Sequence, residues 1–247
     1  MKRFLTALGA ALLCMASAQN TYRQQDFASL GGRWRPVFAW CDAPDRVMVV
    51  GQSGGGALDT PQRVTYARFL KSAPHNIVTR AYFLGPGEGA AGSIYVALSA
   101  TLQKTPPATY FVHLSNVEQA GQDDDLASRV VEIKSPLDPN PGQCNYAPNA
   151  IFSGATGRRT VSVLKQYSGG YVYRSSDYGG GGVQIGGGKR GVTQGGRETY
   201  TFHNGGYTYR VEVDSPASPF ARVVVSKGGK TLLAEAFRVY SDSRPQE

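Results

Sequence analysis

The sequence predicts a mainly β protein built from antiparallel sandwich or partly open barrel units. Short runs rich in Val, Ile, Tyr, Phe and Thr recur along the chain, with Gly, Pro, Asn or Asp between them. The 247 residues include 31 Gly and 14 Pro, which oppose long helices, while 41% hydrophobic residues provide a core. Asn204-Gly205-Gly206 and Lys227-Gly228-Gly229 separate alternating runs, as tight β-hairpin turns do.

The N-terminal residues have the pattern of an export signal. Lys2 and Arg3 precede an apolar stretch over 4–15, and Ala16-Ser17-Ala18 is a small-x-small cleavage site. We therefore expect residues 1–18 to be removed and the mature chain to reach the periplasm, the cell envelope or the extracellular space. The apolar stretch is shorter than the ~20 residues of a membrane-spanning helix, so no transmembrane span is expected in the mature chain.

The first half of the mature chain reads as a series of strands with one ambiguous segment. Strands are predicted over 34–40, 46–50, 77–84, 94–102, 109–114 and 129–133. Over 60–71, Thr60 and Pro61 suit the start of a helix, and Val64, Ala67 and Leu70 recur at helical spacing. The same segment contains β-branched and aromatic residues, so one short helix and a strand both remain open there.

Two cysteines remain after removal of the signal peptide, Cys41 and Cys144. Since an exported protein meets an oxidising environment, we predict a disulfide between them, closing a loop of 144 − 41 = 103 residues. His75, His113 and His203 are far apart, and no spacing typical of metal ligands occurs. The sequence therefore predicts neither a metal site nor a cofactor.

The charge is uneven along the mature chain. Residues 19–149 contain 11 basic and 11 acidic side chains, whereas residues 150–247 contain 13 basic and 7 acidic ones. A proline-rich connector lies just before residue 150. We predict a neutral β-rich domain over 19–149, tied by the disulfide, and a basic Gly- and Tyr-rich β domain over 150–247. The basic surplus favours an anionic cell-envelope component as partner, with extracellular nucleic acid as the alternative.

The second half also reads as strands and turns. Strands are predicted over 160–167, 171–174, 199–203, 207–213, 222–226 and 231–240. The glycine clusters at 179–182 and 186–188 have too little side chain to pack, so they predict a mobile loop that carries Lys189 and Arg190.

A short repeat supplies candidate binding residues. The run S-G-G-Y-V-Y-R at 168–174 resembles N-G-G-Y-T-Y-R at 204–210, and the two Tyr of each copy share one strand face. Exposed, these rings would form a stacking platform for sugars or bases; buried, they would be hairpin core. The candidate binding residues are Tyr171, Tyr173, Lys189, Arg190, Tyr207, Tyr209 and Arg210.

Two motifs resemble catalytic or nucleotide-binding signatures. Gly51-Gln52-Ser53-Gly54-Gly55 matches G-x-S-x-G, which makes Ser53 a candidate nucleophile with His203 as its base. However, only 50 − 18 = 32 mature residues precede Gly51, and the following glycines oppose the helix that such a turn requires. The G-x-G-x-x-G match at 87–92 leads into a strand-like run, so a hairpin loop is the better interpretation.

The leading hypothesis is thus an exported, non-catalytic, β-rich envelope protein with a structural or binding role toward an anionic surface or polymer. A secreted serine hydrolase that uses Ser53 and an extracellular nucleic-acid binder are the alternatives.

Overall fold

The fold is entirely β in the part of the chain that the structure describes. The structure, a computed structural model, describes residues 22–52, 60–90, 92–102, 109–115, 130–140, 142–145 and 147–245. In these ranges every strand pairing is antiparallel and no helix occurs, which confirms the predicted fold class. Consistently, none of these ranges contains a helix long and apolar enough to cross a membrane.

The described residues form eighteen strands. The first nine are β1 Tyr22–Leu30, β2 Arg33–Asp42, β3 Arg46–Gly51, β4 Gln62–Leu70, β5 Ala73–Ala90, β6 Ser93–Ser99, β7 Phe111–Ser115, β8 Val130–Lys134 and β9 Gly142–Gln143. The other nine are β10 Ala150–Ala155, β11 Arg159–Lys165, β12 Tyr171–Asp177, β13 Gly182–Val192, β14 Glu198–Asn204, β15 Tyr207–Val213, β16 Ala221–Lys227, β17 Lys230–Ala236 and β18 Val239–Pro245.

The first unit is a meander that runs from the second half of β2 to β9, each strand pairing with the next. One face of the meander holds a core that includes Met48, Tyr66, Leu98 and Ile133. Cys41 and Cys144 lie at disulfide-bonding distance beside this core, with their Cα atoms 5.1 Å apart.

The second unit is a sandwich of two layers. The front layer has the strand order β2 (first part), β1, β18, β10, β11, β12 and the first part of β13. The back layer continues with the rest of β13, then β14, β15, β16 and β17. Aromatic residues from both layers, among them Phe152, Tyr173, Phe202 and Tyr240, form the core between them.

The two units share a third core where the outward face of the front layer meets the meander. Ala28, Ala155 and Val239 of the front layer pack there with residues of β2, β3 and β4, such as Val49 and Phe69. The strand β1 precedes the meander in sequence but pairs with β18 at the other end of the chain. The front layer is therefore covered on both faces, which positions the cleft described below.

The segment 60–71, which the sequence left open between helix and strand, contains β4. Its two faces explain the ambiguity: Val64 and Tyr66 face the core of the first unit, while Ala67 and Phe69 face the core shared by the units. When both sides of a strand are buried, apolar and polar residues no longer alternate along it, and this alternation is what normally distinguishes a strand from a helix.

The glycine-rich stretch is a strand and not the predicted mobile loop. Its residues 182–192 form β13, which pairs with β12 through its first part and with β14 through its last part. A Cβ atom on Gly188 would lie 2.1 Å from the Phe202 ring, so the absence of a side chain lets the strand cross over the core between the layers. The predicted hairpin turns are confirmed, with Gly205 and Gly206 at φ values of 54° and 79°.

Candidate functional site

The tyrosines of the repeat lie mainly in the core. Of the two arrangements that the sequence allows, an exposed platform and a buried hairpin core, the structure has the buried one. Tyr173 is fully buried, and burial raises the pKa of its hydroxyl to about 12. Tyr171 and Tyr209 are partly buried and pack against the same core. Tyr207 lies at the start of its strand, where the Lys227 ammonium stands 4.6 Å from the centre of its ring.

Lys189 and Arg190 are neighbours in sequence but lie on opposite faces of β13. Both side chains are exposed, but Lys189 is paired in register with Thr201, whereas Arg190 is paired with the core residue Tyr200. The Arg190 Nε donates a hydrogen bond to Glu198, and the Tyr200 hydroxyl donates to the same carboxylate oxygen. The predicted pair of adjacent basic side chains is therefore divided between two environments.

Charged side chains gather instead on the outward face of the back layer. Lys189 of β13 is opposite Thr201 of β14, which is opposite Arg210 of β15. In the next row, Glu212 of β15 is opposite Arg222 of β16. Adjacent strands lie ~4.8 Å apart, so Lys189 and Arg210 are about 10 Å apart at the backbone. Of the seven residues proposed from sequence, this face brings Lys189 and Arg210 together.

Glu212 organises the arginines around it. Its carboxylate accepts one hydrogen bond from the Arg210 Nε at 2.6 Å and one from the Arg222 Nε at 2.6 Å, each at a different oxygen. The Arg197 Nη1 donates a third at 3.1 Å, and Arg197 also pairs with Asp214. The Glu212 side chain is only 2% exposed although it lies on an outward face, because the arginines surround it.

The ionised state of Glu212 keeps this arrangement in place. Burial by itself would raise the pKa of the carboxyl, but hydrogen bonds from Arg222 and Arg197 and the charge of Arg210 outweigh burial and lower that pKa. The carboxylate is therefore charged at neutral pH and holds the guanidinium groups in fixed positions.

Arg210 and Arg222 have most of their hydrogen-bonding capacity left. Each uses Nε for Glu212, and their terminal nitrogens donate to none of the described residues. Their side chains are 42% and 38% exposed. A guanidinium has five N–H donors in a planar fork that matches the oxygens of carboxylate, sulfate or phosphate groups. Two such forks oriented by one buried carboxylate can bind an anion.

We call this set the arginine face: Lys189, Arg197, Arg210 and Arg222 with Glu212 and Asp214. Four basic groups against two carboxylates leave a local charge of 4 − 2 = +2. The first unit also has a buried carboxylate, Asp138, which accepts hydrogen bonds from Arg46, Arg68 and Tyr66. There the two arginines are balanced by Asp138 and Asp45, so that cluster is neutral and suits a structural role.

The remaining sequence candidates do not form a site in the described ranges. Ser53 lies outside the described residues, so the hydrolase alternative stays a prediction. His203 is exposed, and its Nδ1 lies 3.1 Å from the Thr208 hydroxyl. Within the described ranges, no group of three or more His, Cys, Asp or Glu side chains is placed to hold a metal ion.

Sequence reasoning missed Glu212, Arg222 and Arg197. The alternation Arg210-Val211-Glu212-Val213-Asp214 did contain a signal, since it places three charged side chains on one strand face. The partner of Glu212 on β16 could not be assigned without the register between the two strands.

Comparisons with known proteins assign no function to the site. No protein-family model, curated protein or solved structure matches this chain.

Proposed function

We propose that this protein is an exported, non-catalytic binding protein whose arginine face binds an anionic polymer of the cell envelope. The observation that carries the proposal is the buried Glu212 carboxylate, which orients Arg210 and Arg222 through Nε and leaves their terminal N–H groups for a ligand. The local charge of +2 supports an anionic partner, because it attracts such a polymer and is not cancelled by nearby carboxylates.

The proposed location rests on the N-terminal segment and the cysteines. Residues 1–18 have the charge and hydropathy pattern of a signal peptide. A cysteine pair at disulfide-bonding distance also suits a compartment that allows oxidation. The sulfate, phosphate or carboxylate groups of an anionic polymer are groups that guanidinium forks bind.

The test uses dextran sulfate as a sulfated polysaccharide and measures its affinity for the purified chain over a salt series. We expect affinity to fall as salt screens the charges. Replacing both arginines, R210Q/R222Q, is expected to weaken binding about tenfold or more, since charge-assisted hydrogen bonds are lost. R210K/R222K retains the charge but lacks the fork, so it is also expected to weaken binding.

A matched control separates the arginine face from net charge. R63Q/R80Q removes the same charge from two exposed positions of the first unit and should leave the affinity within about twofold. Equal weakening by this control and by R210Q/R222Q would reject the arginine face as the binding site. Tighter binding of single-stranded DNA than of dextran sulfate would favour the nucleic-acid alternative.

A further inference from the structure

A polar cleft lies between the two units, on the outward face of the front layer. It has a volume of about 350 Å³, within the ~300–1,000 Å³ range of small-ligand sites. Its floor is formed by side chains of β1, β18, β10, β11 and β12. Its other side is formed by Trp40, Asp42, Val131, Cys144 and Asn145 of the first unit. The cleft is thus separate from the arginine face on the back layer.

The floor contains a continuous row of polar side chains across five neighbouring strands. Asp26 is opposite Ser241, Ser241 is opposite Ser153, Ser153 is opposite Ser162, and Ser162 is opposite Arg174. We call these five residues the serine row. At ~4.8 Å per strand, the four steps span about 19 Å, which is long enough for a chain of several sugar rings.

The hydroxyl groups of the serine row have hydrogen-bonding capacity that the described protein does not use. The Ser241 Oγ accepts from the Trp40 Nε1 at 2.7 Å and from the Gln24 Nε2 at 3.3 Å, which fills both of its lone pairs. Its O–H donor has no acceptor among the described residues and is available to the cleft. Ser153 and Ser162 lie 3.1 Å apart at their Oγ atoms, so only one of their two protons is used within the pair.

Guanidinium, carboxylate and amide groups lie at the ends and on the opposite side of the cleft, together with one aromatic side chain. Arg174 donates through Nε to Gln184 at 3.3 Å, and its terminal nitrogens donate to none of the described residues. Asp42 accepts hydrogen bonds from the Asn145 amide at 2.7 Å and pairs with Lys71. Trp40 lines the cleft while packing partly against the core shared by the units, and its indole N–H donates to the Ser241 hydroxyl. Amphipathic rings of this kind suit the apolar faces of sugars.

The cleft lacks the positive surplus of the arginine face. Asp42 is paired with Lys71, which leaves Asp26 against Arg174, so an anion entering this partly enclosed space would lose hydration without meeting a net positive charge. A peptide strand is also a poor fit, because the cleft exposes side-chain hydroxyls of a sheet face and not the unpaired backbone of an edge. A neutral ligand whose groups both donate and accept fits best.

We propose that the cleft above the serine row binds a neutral oligosaccharide. Sugar hydroxyls donate and accept hydrogen bonds in close succession, as the serines of the row do. Trp40 supplies apolar surface, and the terminal nitrogens of Arg174 supply additional donors.

The test measures tryptophan fluorescence of the full chain during titration with cellotetraose, maltotetraose and N-acetylchitotetraose. The chain has two tryptophans; Trp34 packs against the core of the second unit and Trp40 lines the cleft, so a ligand in the cleft changes the Trp40 emission. We expect a saturable change with at least one tetrasaccharide and its loss in Trp40→Phe. S153A/S162A removes both partners of one hydrogen bond with little change of shape and should weaken binding about tenfold.

Ser226→Ala on the back layer is the matched control and should bind like the wild type, with thermal unfolding confirming that all variants are folded. No saturable change with any of the three sugars up to about 10 mM would overturn the proposal. Wild-type affinity in S153A/S162A would overturn it as well. None of these outcomes depends on the arginine face.

Discussion

The outward faces of the front and back layers belong to one sandwich but present opposite chemistry. The front face carries the serine row beneath the first unit, while Arg210 and Arg222 of the back face are open to solvent. Both faces are built from cross-strand rows, with neutral hydroxyls in one and guanidinium groups in the other. An enclosed site suits a neutral ligand because burying a charge is costly, whereas exposed guanidinium groups can bind an anion that stays partly hydrated.

The largest expected effect comes from removing the cysteine pair that holds one side of the cleft. C41S/C144S opens a loop of 103 residues and is expected to lower the free energy of unfolding by about 2–5 kcal/mol. Since Cys144 and Asn145 line the cleft, the Trp40 response to sugars should weaken while dextran sulfate affinity stays unchanged. Urea unfolding of the non-reduced protein measures the first effect. Equal loss of both binding activities would contradict the independence of the two faces.

The crossing strand β13 links the two faces and should be sensitive at one glycine. In Gly188→Ala the new Cβ would meet the Phe202 ring at 2.1 Å, so the free energy of unfolding should fall by up to about 3 kcal/mol. Gly186→Ala is the control, because a Cβ there meets nothing within 4 Å. Thermal and urea unfolding compare the two variants. A similar decrease in the free energy of unfolding in both variants would show that the clash at Phe202 is not the cause.

Acid should loosen the back face through Glu212. Because its pKa is lowered by folding, the stability that this group contributes is complete above the usual value of 4.5 and is lost as pH falls through the lower folded value. Glu212→Gln should lower the free energy of unfolding at pH 7 by about 1–2 kcal/mol. Thermal unfolding of both proteins is measured from pH 7 to pH 3. The difference in stability between Glu212→Gln and the wild type should shrink as the pH falls below 4.5. A constant difference would argue against ionisation of Glu212 as the source.

The smallest expected effect tests the hydrogen bond that fixes Trp40 over the serine row. A double-mutant cycle of Trp40→Phe and Ser241→Ala should give a coupling energy of about 1 kcal/mol in urea unfolding. Neither variant should change the affinity for dextran sulfate. A coupling energy near zero would mean that the bond contributes nothing to the stability of the folded chain.

Local residue patterns were sufficient for much of the fold. The Asn204-Gly205-Gly206 turn predicts its hairpin because both central residues require positive φ, and the strand over 207–213 follows directly from it. The pairing of Cys41 with Cys144 also follows from there being only two cysteines after the predicted signal peptide. The turn depends on a short segment and the disulfide on the number of cysteines, so a single sequence is enough to predict both.

Only the tertiary structure decided which strands lie side by side, and therefore both candidate sites. Asp26, Ser241 and Ser153 are distant in sequence, and their common row depends on β1, β10 and β18 meeting in the front layer. Likewise, the position of Arg222 beside Glu212 depends on the register of β15 and β16. A register shift of one residue would move every side chain of a strand to the other face. The sequence determines which residues can form strands, whereas burial of both layers against their cores selects the pairing that brings their side chains together.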